Sequence, residues 1–77
     1  MSTVLRVDPC RFHFYSADGV EAPHIHVRAG KARAKFWLSP VRFATSVGFK
    51  PHELRKIERL VIKRQQLFLE VWYDYFT

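Results

Sequence analysis

A chain of 77 residues has room for one domain and a modest core, since folding at this size removes only about 60% of the unfolded surface from water. Apolar residues make up 48% of it and aromatic residues 16%, which excludes an intrinsically disordered chain. Thirteen Lys and Arg against seven Asp and Glu leave a net charge of +6, an excess that points to a polyanionic partner.

The single cysteine, Cys10, rules out an internal disulfide, fits a reducing compartment and makes a weak nucleophile. Neither a secretory signal nor an apolar run of spanning length is apparent, so the expectation is a cytoplasmic protein without membrane contact.

Pro and Gly punctuate the first half into four short extended runs: Thr3 to Val7, Arg11 to Ser16, His24 to Arg28 and Ala32 to Leu38. Ala29-Gly30-Lys31 is short enough to close a hairpin, and a meander is the simplest topology. Val41 to Val47 follows Ser39-Pro40 without a clear assignment. From Pro51 to Tyr75 nothing interrupts a helix, and Leu54, Ile57, Leu60, Val61, Leu67, Phe68, Val71, Trp72 and Tyr75 share about half its circumference. The predicted fold is α+β: a small antiparallel meander of three to four strands within residues 3–38, covered on one face by a long C-terminal helix at about 51–75.

Strand alternation assigns Phe12, Phe14, Ile25, Val27, Ala32, Ala34, Phe36 and Leu38 to the core face. The opposite face then carries Arg11, His13, Tyr15, His24, His26, Arg28, Arg33, Lys35 and Trp37, with no acid among them. Cations interleaved with aromatics on an open sheet suit phosphate neutralisation and base stacking, with Tyr15 and Trp37 as platforms. Antiparallel sheets also commonly present a solvated polar face for no such purpose. On the helix, Arg55, Arg59 and Lys63 form a second cationic stripe, which could equally be a solvated face. Leu69, Tyr73 and Phe76 widen the apolar arc beyond one contact face and suggest a protein partner or self-association, while Arg64 falls near the middle of that arc.

His24-Ile25-His26 places two imidazoles on one face about 6.5 to 7 Å apart, with His13 beside them if the second strand pairs with the third. Such a group suits metal-independent acid and base catalysis on RNA, with His24, His26 and Tyr15 as the catalytic candidates. A metal centre of His13, His24 and His26 is the weaker alternative, because a closed zinc site needs four ligands and the neighbours are cations. No metal ligand set and no cofactor are therefore assigned.

Thr3-Val4-Leu5-Arg6, Arg11-Phe12, Phe14-Tyr15-Ser16, Pro23-His24-Ile25-His26-Val27, Ala34-Lys35-Phe36-Trp37-Leu38 with Pro40-Val41, Glu53-Leu54-Arg55 with Ile57, Leu69-Glu70-Val71-Trp72 and Tyr75-Phe76 together carry a likeness along nearly the whole chain. In them the chain resembles the small bacterial domain-of-unknown-function family 4160 (DUF4160). The resemblance implies pairing with a second small protein in a toxin-antitoxin-type module, and it draws attention to Tyr15, His24, His26, Lys35 and Trp37. His13 stands where the resemblance leads one to expect an aromatic, and Lys50 replaces a small helix cap, so the helix start is expected to fray.

Two functions from different classes are carried forward. One is an RNA-interacting protein, the toxin-like member of such a pair, binding through Arg11, Arg28, Arg33, Lys35, Trp37, Arg55, Arg59 and Lys63. The other is a non-catalytic module that docks an acidic partner through the basic sheet and the apolar helix end.

Overall fold

The computed structural model describes residues 2–76, and of Ser2 the backbone alone. Five strands form one antiparallel sheet: β1 (Ser2–Val7), β2 (Cys10–Phe14), β3 (His24–Ala29), β4 (Ala32–Leu38) and β5 (Val41–Val47). Their spatial order follows the chain, which makes the sheet a meander. Two helices follow, α1 (Pro51–Lys63) and α2 (Gln65–Phe76).

The fifth strand corrects the expected three to four. Ser39-Pro40 does not end the sheet but turns the chain, and Leu38 pairs with Val41 directly across it. Val41, Phe43, Thr45 and Val47 are the β-branched and aromatic residues that such a strand favours. The second strand stops two residues earlier than expected, and Ser16 instead opens a 3-10 turn, Ser16–Val20. Between β3 and β4, Gly30 has φ 61° at the first central position of a two-residue hairpin turn, where the left-handed conformation calls for glycine. Both edge strands are irregular: β1 carries an extra residue between Thr3 and Leu5, and β5 one between Thr45 and Phe43. Bulges of this kind disrupt an edge that would otherwise invite pairing with another chain.

Pairing and alternation agree on the core. Phe12, Phe14, Ile25, Val27, Ala34, Phe36 and Leu38 are buried on one face of the sheet, while Ala32, near its end, is only half-buried. The helices cover that face with Ile57, Val61, Phe68 and Trp72. Phe12 stacks on Phe68 with ring centroids 5.4 Å apart, and Phe14 meets Trp72 edge-on at 5.2 Å. Burying a side chain of this size contributes about 1.5 to 3 kcal/mol.

Pro51 occupies the first turn of α1, and the Glu53 carboxylate accepts the Lys50 backbone N–H at 2.8 Å. That bond is half of a capping box, so the Lys50 position is capped from within the helix rather than left to fray. The single long helix is also corrected. At Arg64 the backbone turns to φ −105° and ψ 13°, which separates α1 from α2. A straight helix would carry Arg64 into the apolar arc, whereas the turn leaves it exposed. It also brings Gln65 to donate to the Leu38 carbonyl at 2.6 Å, tying the start of α2 to the end of β4.

Candidate functional site on the polar face of the sheet

Register arranges the polar face in rows that run across the strands. One row is Arg6, Arg11, Arg28 and Arg33, each directly paired with the next over four adjacent strands. At about 4.8 Å per strand the row spans about 14 Å. The next row is His13, His26 and Lys35, and beyond it His24 pairs with Trp37. Arg6 was missed from sequence because only the pairing of β1 with β2 reveals its place in the row.

Like charges directly opposite one another destabilise a sheet. Among the described residues neither Arg28 nor Arg33 makes an ion pair, so the repulsion between these two directly paired residues is not offset by one. Two shallow basins flank the row and share Arg28. The larger, about 330 Å³, includes His13, Tyr15, His26, Arg28, Arg33 and Lys35 in its lining. The smaller, about 270 Å³, is bordered by Arg6, Arg11 and Arg28, with Asp8 as its acidic member.

The other half of the face is not free of acid, contrary to the expectation from alternation. The 3-10 turn folds over the start of β3 and brings Asp18 and Glu21 onto it. Asp18 Oδ2 accepts the Tyr15 backbone N–H at 2.9 Å and lies 3.1 Å from His26 Nε2 and 3.3 Å from His24 Nε2. Glu21 accepts a hydrogen bond from Lys35 Nζ at 2.7 Å, and that bond is the main reason its carboxyl titrates below the ordinary range. Gly19 permits this seating, since a Cβ there would lie 2.6 Å from Cδ1 of Phe76.

Several expected site residues are placed differently as a result. His24, at 0% exposure, and His13, at 1%, are enclosed, so they are not open to solvent as expected. A substrate proton cannot reach His24 in this arrangement, and the acid-base pair of His24 with His26 loses one member. His26 remains half-buried, in contact with Asp18, and burial is the chief cause that lowers its pKa. The same cause dominates at His13, with the charges of His26, Arg11 and Arg28 adding to it. Trp37 is half-buried under the Lys35 ammonium, which lies 4.5 Å from its ring centroid, so it is not an open stacking platform. Tyr15 is 41% exposed at the rim of the larger basin, its ring edge-on to His13 and His26 at 5.0 and 4.7 Å.

Arg55, Arg59 and Lys63 are exposed on α1, which covers the core face, so the thickness of the sheet separates them from the arginine row. Of the expected partner contact, Leu69 and Phe76 pack against the core, with Phe76 only 4.3 Å from Trp72 by ring centroid, while Tyr73 is exposed. Burial pushes the Cys10 thiol up, aided by the charge of Glu53, which keeps it a poor nucleophile. No helix among the described residues is long and apolar enough to cross a membrane.

The class defined by these features is a helix-backed antiparallel meander with a basic polar face. The chain belongs to the family described as Domain of unknown function (DUF4160), which matches residues 10–73. No curated protein and no solved structure matches it.

Proposed function

We propose that the protein binds RNA along the row formed by Arg6, Arg11, Arg28 and Arg33. The observation that carries this reading is the register itself: four arginines pair in sequence across four adjacent strands on one face of the sheet, and among the described residues neither Arg28 nor Arg33 is neutralised by an ion pair. Arginine forks match phosphate oxygens in bidentate fashion, so a phosphodiester chain lying across the strands would be met by successive donors. Tyr15, exposed at the rim of the adjoining basin, supplies one face for an unpaired base, which favours a single strand. Lys35 is left out of the phosphate contacts because Glu21 holds its ammonium. The toxin-like role implied by the family resemblance enters only as RNA binding, since cleavage by paired histidines would need His24 to be accessible.

Fluorescence anisotropy with a labelled single-stranded RNA, titrated at several salt concentrations, tests the proposal. Arg28→Gln and Arg33→Gln should each weaken binding and reduce the slope of log K against log salt by about 0.7, the value for one lost phosphate contact on a single strand. An unchanged slope in the double variant would overturn it. If RNA fails to bind while an acidic polypeptide binds through the same two arginines, the protein is the interaction module instead.

A further inference from the structure

The hydrogen bonding of His24 poses a problem that its neighbours answer. Nδ1 lies 2.9 Å from the backbone oxygen of Ala22. A carbonyl can only accept, so Nδ1 carries the hydrogen and a neutral ring presents a lone pair at Nε2. That nitrogen is fully enclosed and has no hydrogen-bond partner among the described residues. Its near neighbour, at 3.3 Å, is Oδ2 of Asp18, another electron-rich atom. Two such atoms facing each other in an enclosed space repel unless a cation lies between them.

We infer that Asp18, His24 and His26 form a binding site for a divalent transition-metal ion of the zinc class. Their ligand atoms all lie within 4.8 Å of one another. In a tetrahedral site with bonds of about 2.1 Å, donor atoms stand about 3.4 Å apart. The Asp18 oxygen already meets both imidazoles at close to that spacing, 3.3 Å to His24 and 3.1 Å to His26. The two nitrogens need approach each other by at most 4.8 Å less about 3.4 Å, or about 1.4 Å. Two imidazoles with one carboxylate suit zinc and its first-row neighbours, whereas magnesium and calcium favour oxygen donors throughout.

The surroundings are built as metal sites usually are. The Nδ1–H of His24 is given to the Ala22 carbonyl, the outer bond that fixes tautomer and ring orientation for a ligating histidine. Trp37 and Trp72 hold the same ring at centroid distances of 5.6 and 5.0 Å. The His26 ring packs against both His13 at 5.6 Å and Tyr15 at 4.7 Å. Lys35, the nearby cation, is occupied by Glu21. Three protein donors leave one tetrahedral position for water or an anionic oxygen, the pattern of catalytic rather than structural zinc. His26 is also the ligand that lines the larger basin, so the ion stands at its rim. The inference holds whether or not RNA occupies that basin.

The competing occupant is a proton, which would make His24 an enclosed imidazolium beside Asp18. Titrating chelator-treated protein with Zn²⁺ alone, by calorimetry at neutral pH, separates the two. The expected result is one ion per chain, with affinity reduced at least about tenfold in Asp18→Asn and in His26→Gln and unchanged in His52→Ala, whose histidine is exposed on α1. Circular dichroism confirms that each variant is folded. Asn at position 18 can still accept the Tyr15 N–H and so spares the turn. A second readout is the visible spectrum with Co²⁺, in which intense bands of a tetrahedral site should arise in the wild type and be lost in Asp18→Asn. Absence of saturable binding, equal affinity in folded Asp18→Asn, or loss of binding in His52→Ala would each overturn the site.

Discussion

His13 lies in the middle of the sheet with neither ring nitrogen hydrogen-bonded to any described residue. Leaving a buried polar group unpaired costs about 1 to 3 kcal/mol, and the aromatic expected at this position from the family resemblance would remove that cost. His13→Phe should therefore raise stability by about 1 to 2 kcal/mol, read as an increase of roughly 4 to 8 °C in melting temperature per kcal/mol. The pH dependence has a definite sign. Burial lowers the folded-state pKa of His13, and the charges facing it, Arg11 on its own strand with His26 and Arg28 on β3, act in the same direction. The Arg11 backbone, near the ring but not bonded to it, weakly opposes them. The unfolded chain thus binds more protons than the folded one below about pH 6.5, so stability is complete above that value and lost as pH falls. Thermal melts between neutral and mildly acid pH should show a smaller loss in His13→Phe than in the wild type, and His26, whose pKa burial also lowers, contributes to what remains. Acid sensitivity unchanged by the substitution would remove His13 as its source. Alternation along β2 and β3 put both His13 and His24 on the polar face correctly, but it carries no information about whether another segment covers that face.

That covering segment shows what was legible at the scale of elements. The seven buried sheet residues followed from period-two alternation, because a core face imposes it on every strand. The 3-10 turn did not follow, since Ala17-Asp18-Gly19 reads as an ordinary loop. A signal was present in the spacing: Asp18 stands three residues after Tyr15 and accepts its N–H, as an acid does in a capping box. Glu53 does the same for Lys50. The turn between α1 and α2 was signalled only by Arg64, a charge at the centre of an apolar arc, with no Gly or Pro to mark it. Tertiary bonding holds the turn, through Gln65 and the Leu38 carbonyl. Gln65→Ala should therefore destabilise the fold by about 1 to 2 kcal/mol, because it leaves that carbonyl without its partner. Gln66→Ala, at an exposed position one residue on, should change stability by no more than about 0.5 kcal/mol. Chemical denaturation of the pair checks this, and equal effects would show that Gln65 does not anchor α2.

For the molecule as a whole, a net charge of +6 says that polyanions are attracted but not where they settle. The fold divides the cations between two surfaces, with the arginine row on the open face of the sheet and Arg55, Arg59 and Lys63 on the helix that backs it. The two contribute differently to association. Charges anywhere on the surface raise the encounter rate, whereas only those that contact phosphate release counterions and set the salt slope. Exchanging Arg55, Arg59 and Lys63 for Gln together lowers the net charge to +3, from +6 less three. The expected outcome is slower association with RNA at low salt and an unchanged slope of log K against log salt. Arg28→Gln with Arg33→Gln removes only two charges, yet it should lower the slope by about 1.4, twice the single-strand value for one contact. Stopped-flow association rates together with equilibrium titrations over a salt series distinguish the two variants. A slope that falls with the helix triple variant and not with the sheet double variant would move the RNA site to α1.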